Sequence, residues 1–200
     1  MVEPNTTERE MLVVKPISIT PKEYAQNTEF SPLNEPLGAM AITFSELEDK
    51  LTMAINALLK IDHSPDGIIL EDLMQSFSGR RKLFSSLVAI KTKGIVREKV
   101  LKKGGLDSQL MQCNDYRNNF LHGRWTGWRS DGSFIKVRYH ADRNGLNVVE
   151  STLRVEVSNI WEAQAKVFDT ALELSTWYSV FNSPDRPDLW PATWRDKPTG

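Results

Sequence analysis

The chain has 200 residues, of which 40% are hydrophobic and 26% are charged, and its formal net charge is −1. These values are typical of a soluble globular protein with one domain of ordinary size. They exclude a polycationic chain, so any surface for nucleic acid must be a local patch.

Cys113 is the only cysteine. This excludes an internal disulfide and a Cys-based zinc site, and it fits a reducing compartment. We interpret Cys113 as a small buried hydrophobe rather than a nucleophile. No apolar run approaches the roughly 18 residues of a membrane span, and the acidic N-terminus does not resemble a signal peptide. We therefore expect a cytoplasmic protein that makes no membrane contact.

Residues 1–38 are interrupted by prolines at short intervals. They are Pro4, Pro16, Pro21, Pro32 and Pro36. Because proline lacks a backbone N–H and breaks helices, the segment is predicted to be an extended arm. We expect that it can be removed with little loss of fold.

Residues 39–181 are predicted to form one mainly α domain. The first helix begins at Thr43, where Thr43 and Glu46 have capping-box spacing, and ends before His63. A second helix covers residues 69–91, with Gly79 as a candidate break. A third covers residues 95–122, with Gly104 and Gly105 as its break.

A β-hairpin is predicted between the third and the last helix. Hydrophobic residues alternate from Ile135 to Tyr139 and again from Val149 to Val157, and Asn144-Gly145 between them is a strong hairpin signal. The last helix begins at Ser158 and ends near Phe181. Its predicted inward residues are Trp161, Phe168, Leu172 and Leu174. Residues 182–200 form a tail containing Pro and Trp, whose Trp190 and Trp194 are expected to dock on the body.

The stretch from Asp115 to Gly123 carries the candidate site, because it places Arg117, Asn118 and His122 within about one and a half helical turns. An imidazole transfers protons near neutral pH, and a guanidinium binds phosphate through a fixed fork of donors. At about 100° per residue, however, Arg117 points roughly 140° away from His122. Either the long Arg117 side chain bends round, or a second chain supplies the missing group.

A purely structural interpretation of the motif is also open. Gly123 follows His122 at once, as at the C-cap of a helix, where a histidine would meet the negative end of the helix dipole. Arg117 continues the apolar series from Cys113 at helical spacing, which predicts a guanidinium at the edge of the core that needs a partner.

The motif of Arg117, Asn118 and His122, near the end of a long helix in a helical bundle, resembles that of the HEPN superfamily. The resemblance is one of motif and layout over roughly residues 40–181. It implies a HEPN-like bundle that pairs as a homodimer and brings two copies of the motif into one cleft. Many members are metal-independent endoribonucleases of toxin, antiviral or RNA-processing systems, and others are inactive binding or scaffold modules.

The resemblance implies catalytic roles for Arg117, Asn118 and His122, with no metal and no cofactor. His122 would be the general acid or base, Arg117 would stabilise the phosphorane, and Asn118 would orient one of them. RNA would be the substrate, and an antitoxin or a defence protein would be a further partner. The alternatives are a non-catalytic dimeric module of the same fold, or an unrelated helical adaptor in which the motif is coincidental.

Basic residues before and after the motif predict a path for the RNA backbone. The candidate RNA-binding residues are Lys99, Lys102, Lys103, Arg124 and Arg129. Lys91, Lys93, Arg97, Lys136, Arg138 and Arg143 add to the same charge. An ordinary solvated helix face explains the run equally well. Trp125 and Trp128 either stack on unpaired bases or pack the hairpin onto the helices, and packing is the commoner role.

Overall fold

The computed structural model describes residues 30–60, 76–122, 124–141 and 148–183, and within them the chain is mainly helical with one small sheet. The helices are α1 (Ser31–Leu59), α2 (Phe77–Lys91), α3 (Gly94–Leu101), α4 (Leu106–Phe120) and α5 (Val157–Asn182), and the strands are β1 (Arg124–Trp128), β2 (Phe134–Ala141) and β3 (Val148–Val155). α1 and α5 pack along each other most extensively, α2 packs on α1, and α4 packs on α5. The predicted mainly α class is confirmed. None of the described helices is both long and apolar enough to cross a membrane.

α1 begins at Ser31 rather than at Thr43, so the predicted boundary of the arm at residue 38 is wrong for residues 31–38. Pro32 lies in the first turn, where the missing N–H would have no helical partner. Pro36 lies inside the helix and is buried together with Leu33 and Met40. Apolar residues continue at helical spacing on both sides of Pro36, and burial of this face outweighs the cost of about 3 kcal/mol for an interior proline. Residues 1–29 of the predicted arm lie outside the described residues.

Thr43 is therefore an interior residue of α1 and not its N-cap. Its hydroxyl donates to the carbonyl of Ala39 (2.9 Å) and accepts a hydrogen bond from Gln164 Nε2 of α5 (2.9 Å). Thr43 thus joins α1 to α5 near the middle of the bundle.

The predicted break at Gly104 and Gly105 is confirmed, since α3 ends at Leu101 and α4 begins at Leu106. Gly104 has a φ of +77°, which L side chains rarely adopt, and a Cβ on Gly105 would lie 2.8 Å from the carbonyl oxygen of Val100. The predicted break at Gly79 is wrong, because Gly79 lies in the first turn of α2 and donates to the N-cap hydroxyl of Ser76 (3.1 Å). The first part of the predicted second helix, up to residue 75, lies outside the described residues.

The predicted hairpin is present as β2 and β3, which pair antiparallel with Val137 opposite Thr152. β1 is a third strand that the sequence analysis missed, and it pairs antiparallel with the other edge of β2. β1 starts two residues after His122, so the sheet is attached directly to the end of the motif helix. The predicted turn at residues 142–145 lies outside the described residues.

α5 begins one residue before the predicted N-cap. Glu156 is the N-cap, and it forms a capping box with Asn159, whose Oδ1 accepts from the Glu156 N–H (3.0 Å). Leu174 is buried as predicted, but Trp161, Phe168 and Leu172 are exposed, so the predicted inner face of this helix is largely wrong. The buried face of α5 consists instead of Ile160, Ala163, Val167, Thr170, Ala171, Leu174, Trp177 and Val180. Trp190 and Trp194 of the tail lie outside the described residues.

Candidate functional site

The motif lies at the C-terminal end of α4, where the helix stops at Phe120. The carbonyl of Arg117 accepts from the N–H of Leu121 (2.8 Å) and from that of His122 (3.3 Å). These two bonds satisfy a carbonyl that would otherwise be left open at the helix end. The backbone therefore holds His122 about one and a half turns after Arg117, just beyond the end of the helix that was predicted to contain it.

Arg117 points toward α1. Its Nη1 lies 3.3 Å from Glu48 Oε1, and its Cζ lies 5.0 Å from the centroid of the Phe44 ring. The Arg117 side chain is 31% exposed and that of Glu48 is 24% exposed. The prediction that Arg117 lies at the edge of the core with a partner is confirmed, and one face of the guanidinium is held by an aromatic ring.

Glu48 and Phe44 are site residues that the sequence analysis missed. They are four residues apart on α1, so they share one side of that helix. One sequence feature could have pointed to Glu48 as a partner for a buried cation: its carboxylate comes directly after Leu47, which lies in the core. Only the tertiary structure, in which the Arg117 side chain reaches from α4 to α1, shows that this carboxylate meets Arg117.

Of the three motif residues only His122 is exposed, whereas Arg117 and Asn118 are both half-buried. Asn118 is half-buried and lies about 100° round α4 from Arg117, on the side that carries the exposed Met111. The side chain of His122 is exposed. The structure thus joins Arg117 and His122 through the backbone, but the guanidinium points at Glu48 and Phe44 of α1 while the side chain of His122 is exposed.

Tyr116 lies on the side of this helix end that faces α5, and the sequence analysis did not identify it as a site residue. Its hydroxyl accepts from Gln112 Nε2 (2.7 Å), and its ring stacks on Phe120 with the centroids 6.3 Å apart. Lys166 Nζ of α5 lies 5.9 Å from the Tyr116 ring centroid. An aromatic hydroxyl and an ammonium therefore lie next to the motif on the side facing α5.

Cys113 is buried one turn before Arg117, which confirms the interpretation of it as a core residue. Burial raises the pKa of its thiol to about 11, and the hydrogen bond to Thr170 Oγ1 (3.5 Å) offsets this only in part. A thiol with this pKa is protonated near neutral pH, so Cys113 does not serve as a nucleophile.

The candidate RNA-binding residues form two groups. Lys102 and Lys103 are exposed and Lys99 is half-buried in and just after α3, before α4 begins. Arg124 and Arg129 are exposed on and after β1, beyond the other end of α4. α4, which has 15 residues and is therefore about 22 Å long, lies between the two groups in the chain.

Arg129 lies in the turn between β1 and β2, and that turn is held by Asp131. The Asp131 carboxylate accepts from the hydroxyl (2.6 Å) and the N–H (3.0 Å) of Ser133 and pairs with Arg154 Nη2 (2.9 Å). The Ser133 side chain is the main cause of a lowered pKa of Asp131, with the Ser133 N–H next and smaller contributions from Arg154 and Arg129. The anchored turn gives Arg129 a defined position.

The sheet corrects the prediction for Lys136 and agrees with the packing role predicted for Trp125. Lys136 is fully buried, with Nζ 4.8 Å from the ring centroid of Trp125, so it is not part of an exposed basic patch. Trp125 packs edge-on against Phe134 at 6.4 Å between centroids and lies against the core, as the predicted packing role requires. Side chains alternate between the two faces of β2, so Phe134 and Lys136 lie on the same face, and both contact Trp125.

Comparison with protein-family models, with curated proteins and with solved structures found no match to this chain.

Proposed function

We propose that this protein is a metal-independent endoribonuclease with a HEPN-like bundle, in which Arg117, Asn118 and His122 form the active site. The observation that carries the proposal is the placement of Arg117. The Arg117 guanidinium, held against Glu48 and Phe44, still has part of its surface in solvent, and the exposed His122 follows just beyond the end of the same helix. A fixed cation and a group that accepts or donates a proton are two components that cleavage of an RNA phosphodiester needs.

The reaction follows from these groups. His122 accepts the proton of the ribose 2′-hydroxyl, and the 2′-oxygen attacks the adjacent phosphorus. Arg117 stabilises the negative charge of the phosphorane, and Asn118 hydrogen-bonds the phosphate or the ribose. The bond from phosphorus to the 5′-oxygen breaks, and the leaving oxygen is protonated by a second acid. The products are a 2′,3′-cyclic phosphate and a 5′-hydroxyl.

Pairing of two chains through the motif helix would supply that second acid as the His122 of the other copy. The angular offset between Arg117 and His122 on one helix supports this homodimeric arrangement. The resemblance also suggests a toxin or phage-defence setting, with a partner protein that restrains the nuclease.

A second candidate function is a non-catalytic binding or scaffold module of the same fold. The ion pair between Arg117 and Glu48 favours it, because that pair joins α4 to α1 and gives the arginine a structural role without any RNA. The exposed basic residues would then bind a partner or RNA without cleaving it.

One experiment separates the two functions. Purified full-length protein is incubated with mixed RNA, with and without EDTA, and the ends of any products are analysed for a 2′,3′-cyclic phosphate. The wild type should cleave in EDTA, and His122→Ala should not. His140→Ala is the control, since it removes a histidine of β2 outside the motif and should leave cleavage intact. Cleavage that persists in His122→Ala, or no cleavage by the wild type at any RNA concentration, would overturn the enzyme proposal.

A further inference from the structure

Two side chains of α1, one helical turn apart, hold the Arg117 guanidinium. Arg117 Cζ lies over the Phe44 ring, 5.0 Å from its centroid, and Arg117 Nη1 lies 3.3 Å from Glu48 Oε1. No other described side chain forms a hydrogen bond, an ion pair or a ring contact with the Arg117 side chain. A guanidinium with two such contacts keeps a defined orientation, whereas an arginine in solvent samples many rotamers.

The two supporting residues are themselves fixed by the bundle. Phe44 is 3% exposed, and its ring packs on Phe77 of α2 with 4.9 Å between the centroids. The preceding residue, Thr43, accepts a hydrogen bond from Gln164 of α5 (2.9 Å). This turn of α1 is therefore joined to two other helices, and Glu48 lies on the next turn. The packing of the core, and not α4 alone, sets the orientation of the guanidinium.

The contact with Glu48 is longer than the ion pairs of two other arginines in the chain. Arg81 Nη1 lies 2.7 Å from Asp107 Oδ1. Arg154 Nη2 lies 2.9 Å from Asp131 Oδ2. Both values are typical of charge-assisted hydrogen bonds, whereas the 3.3 Å contact of Glu48 is an attraction without a short bond. Because an arginine has several N–H donors, a loose contact at one nitrogen leaves donors for a phosphate.

We propose that Glu48 and Phe44 are positioning residues for RNA cleavage, which hold Arg117 so that its remaining N–H groups meet the phosphate as negative charge develops on it. The inference rests on the proposed function and adds two residues of α1 to the motif of α4. Glu48 and Phe44 act through Arg117 and do not contact the RNA. A guanidinium that is oriented before the reaction stabilises the phosphorane without a costly reorganisation.

A positioning role predicts a specific change in the kinetic constants. Without a support, the guanidinium spends less time in the orientation that the transition state needs, so kcat falls. KM should not rise when Glu48 is removed, because loss of a carboxylate beside Arg117 strengthens the attraction of the site for any anion. A contact that only held α4 to α1 would change the melting temperature and neither kinetic constant.

The first test measures kcat and KM for RNA cleavage by the full chain, with each variant assayed well below its melting temperature. Glu48→Ala should lower kcat about tenfold, and Glu48→Gln, which keeps an acceptor oxygen, should lower it less. Phe44→Leu removes the ring but keeps an apolar side chain, and it should also lower kcat. Glu46→Gln is the matched control, because Glu46 is an exposed glutamate of α1, and it should change neither constant.

The second test does not depend on cleavage. Nitrogen-15 NMR detects the arginine Nε–H groups, and the signal of Arg117 is assigned by its absence in Arg117→Lys. In the wild type this signal should lie apart from those of exposed arginines, and in Glu48→Ala it should move toward them. A short single-stranded DNA, which has phosphodiesters but no 2′-hydroxyl to react, should shift the signal in the wild type and shift it less in Glu48→Ala.

Each outcome bears on the positioning role separately from the nuclease itself. If the wild type cleaves and Glu48→Ala cleaves equally well or faster, the positioning role is wrong, and faster cleavage would mean that Glu48 competes with the phosphate. If the wild type does not cleave, the proposed function fails and the NMR experiment decides alone. A signal of Arg117 that responds to the DNA and depends on Glu48 would then still support a positioned phosphate-binding arginine, and a signal that ignores both would rule it out.

Discussion

Arg117 of α4 and Glu48 of α1 are joined across the bundle, with 3.3 Å between Nη1 and Oε1. Phe44 lies one turn before Glu48, and its ring supports the same guanidinium. Arg117, which the motif predicts to bind phosphate, therefore also links α4 to α1 through an ion pair. Loss of function on mutation of Arg117 would be ambiguous unless stability is measured separately.

A double-mutant cycle on Glu48→Gln and Arg117→Gln measures this tie. Both side chains are partly exposed, so the coupling free energy in urea denaturation should be only about 1 kcal/mol. Glu46→Gln is the control, because Glu46 is an exposed glutamate on the same helix, and it should be additive with Arg117→Gln. A coupling near zero for Glu48 would show that the ion pair does not stabilise the fold.

Replacement of Lys102 and Lys103 by glutamine should weaken binding of single-stranded RNA and reduce its salt dependence. Each phosphate contact contributes about 0.7 to the slope of log affinity against log salt, so the slope should fall by about 1.4 if both lysines contact phosphates. Filter binding over a range of salt concentrations measures it. Lys82→Gln on α2 is an exposed control that should leave the slope unchanged. An unchanged slope in the double variant would mean that Lys102 and Lys103 do not contact the RNA phosphates.

Cys113 should react slowly with a disulfide reagent in the folded protein at pH 8 and rapidly in urea, because it is buried and its pKa is raised to about 11. The folded pKa lies above the ordinary value of 9.0, so the contribution of the protonated thiol to stability is complete below about pH 9 and is lost as the pH rises toward 11. Denaturation curves at several pH values should show this loss in the wild type and not in Cys113→Ala. Fast native labelling at pH 8 would contradict the burial.

A chain that begins at Gly38 should be much less stable than one that begins at Phe30, contrary to the expectation from the prolines. Phe30 and Leu33 are buried in the core, and their removal should lower the free energy of unfolding by about 3 kcal/mol or more. The chain from Phe30 controls for loss of residues 1–29. Equal melting temperatures for the two chains would mean that the first two turns of α1 contribute little.

Much of the local structure was readable from the sequence. Helical periodicity predicts the third helix and the last one, and Gly104 and Gly105 divide the third helix as their flexibility suggests. Alternation of hydrophobic residues predicts β2 and β3. The spacing from Cys113 also placed Arg117 at the edge of the core. These features depend on contacts within a few residues, so a local pattern contains them.

Other features were decided by contacts between distant parts of the chain. Pro36 lies within α1 because burial of the surrounding face outweighs the lost hydrogen bond, and that burial depends on the rest of the core. α5 has apolar residues on two sides, and its periodicity does not say which side meets α1 and α4. In the folded chain the side of α5 that contains Ile160 and Trp177 is buried, and Trp161 and Phe168 on the other side are exposed. Likewise, only the approach of α1 to α4 brings Glu48 to Arg117, because helix packing and not helical spacing determines which charges meet.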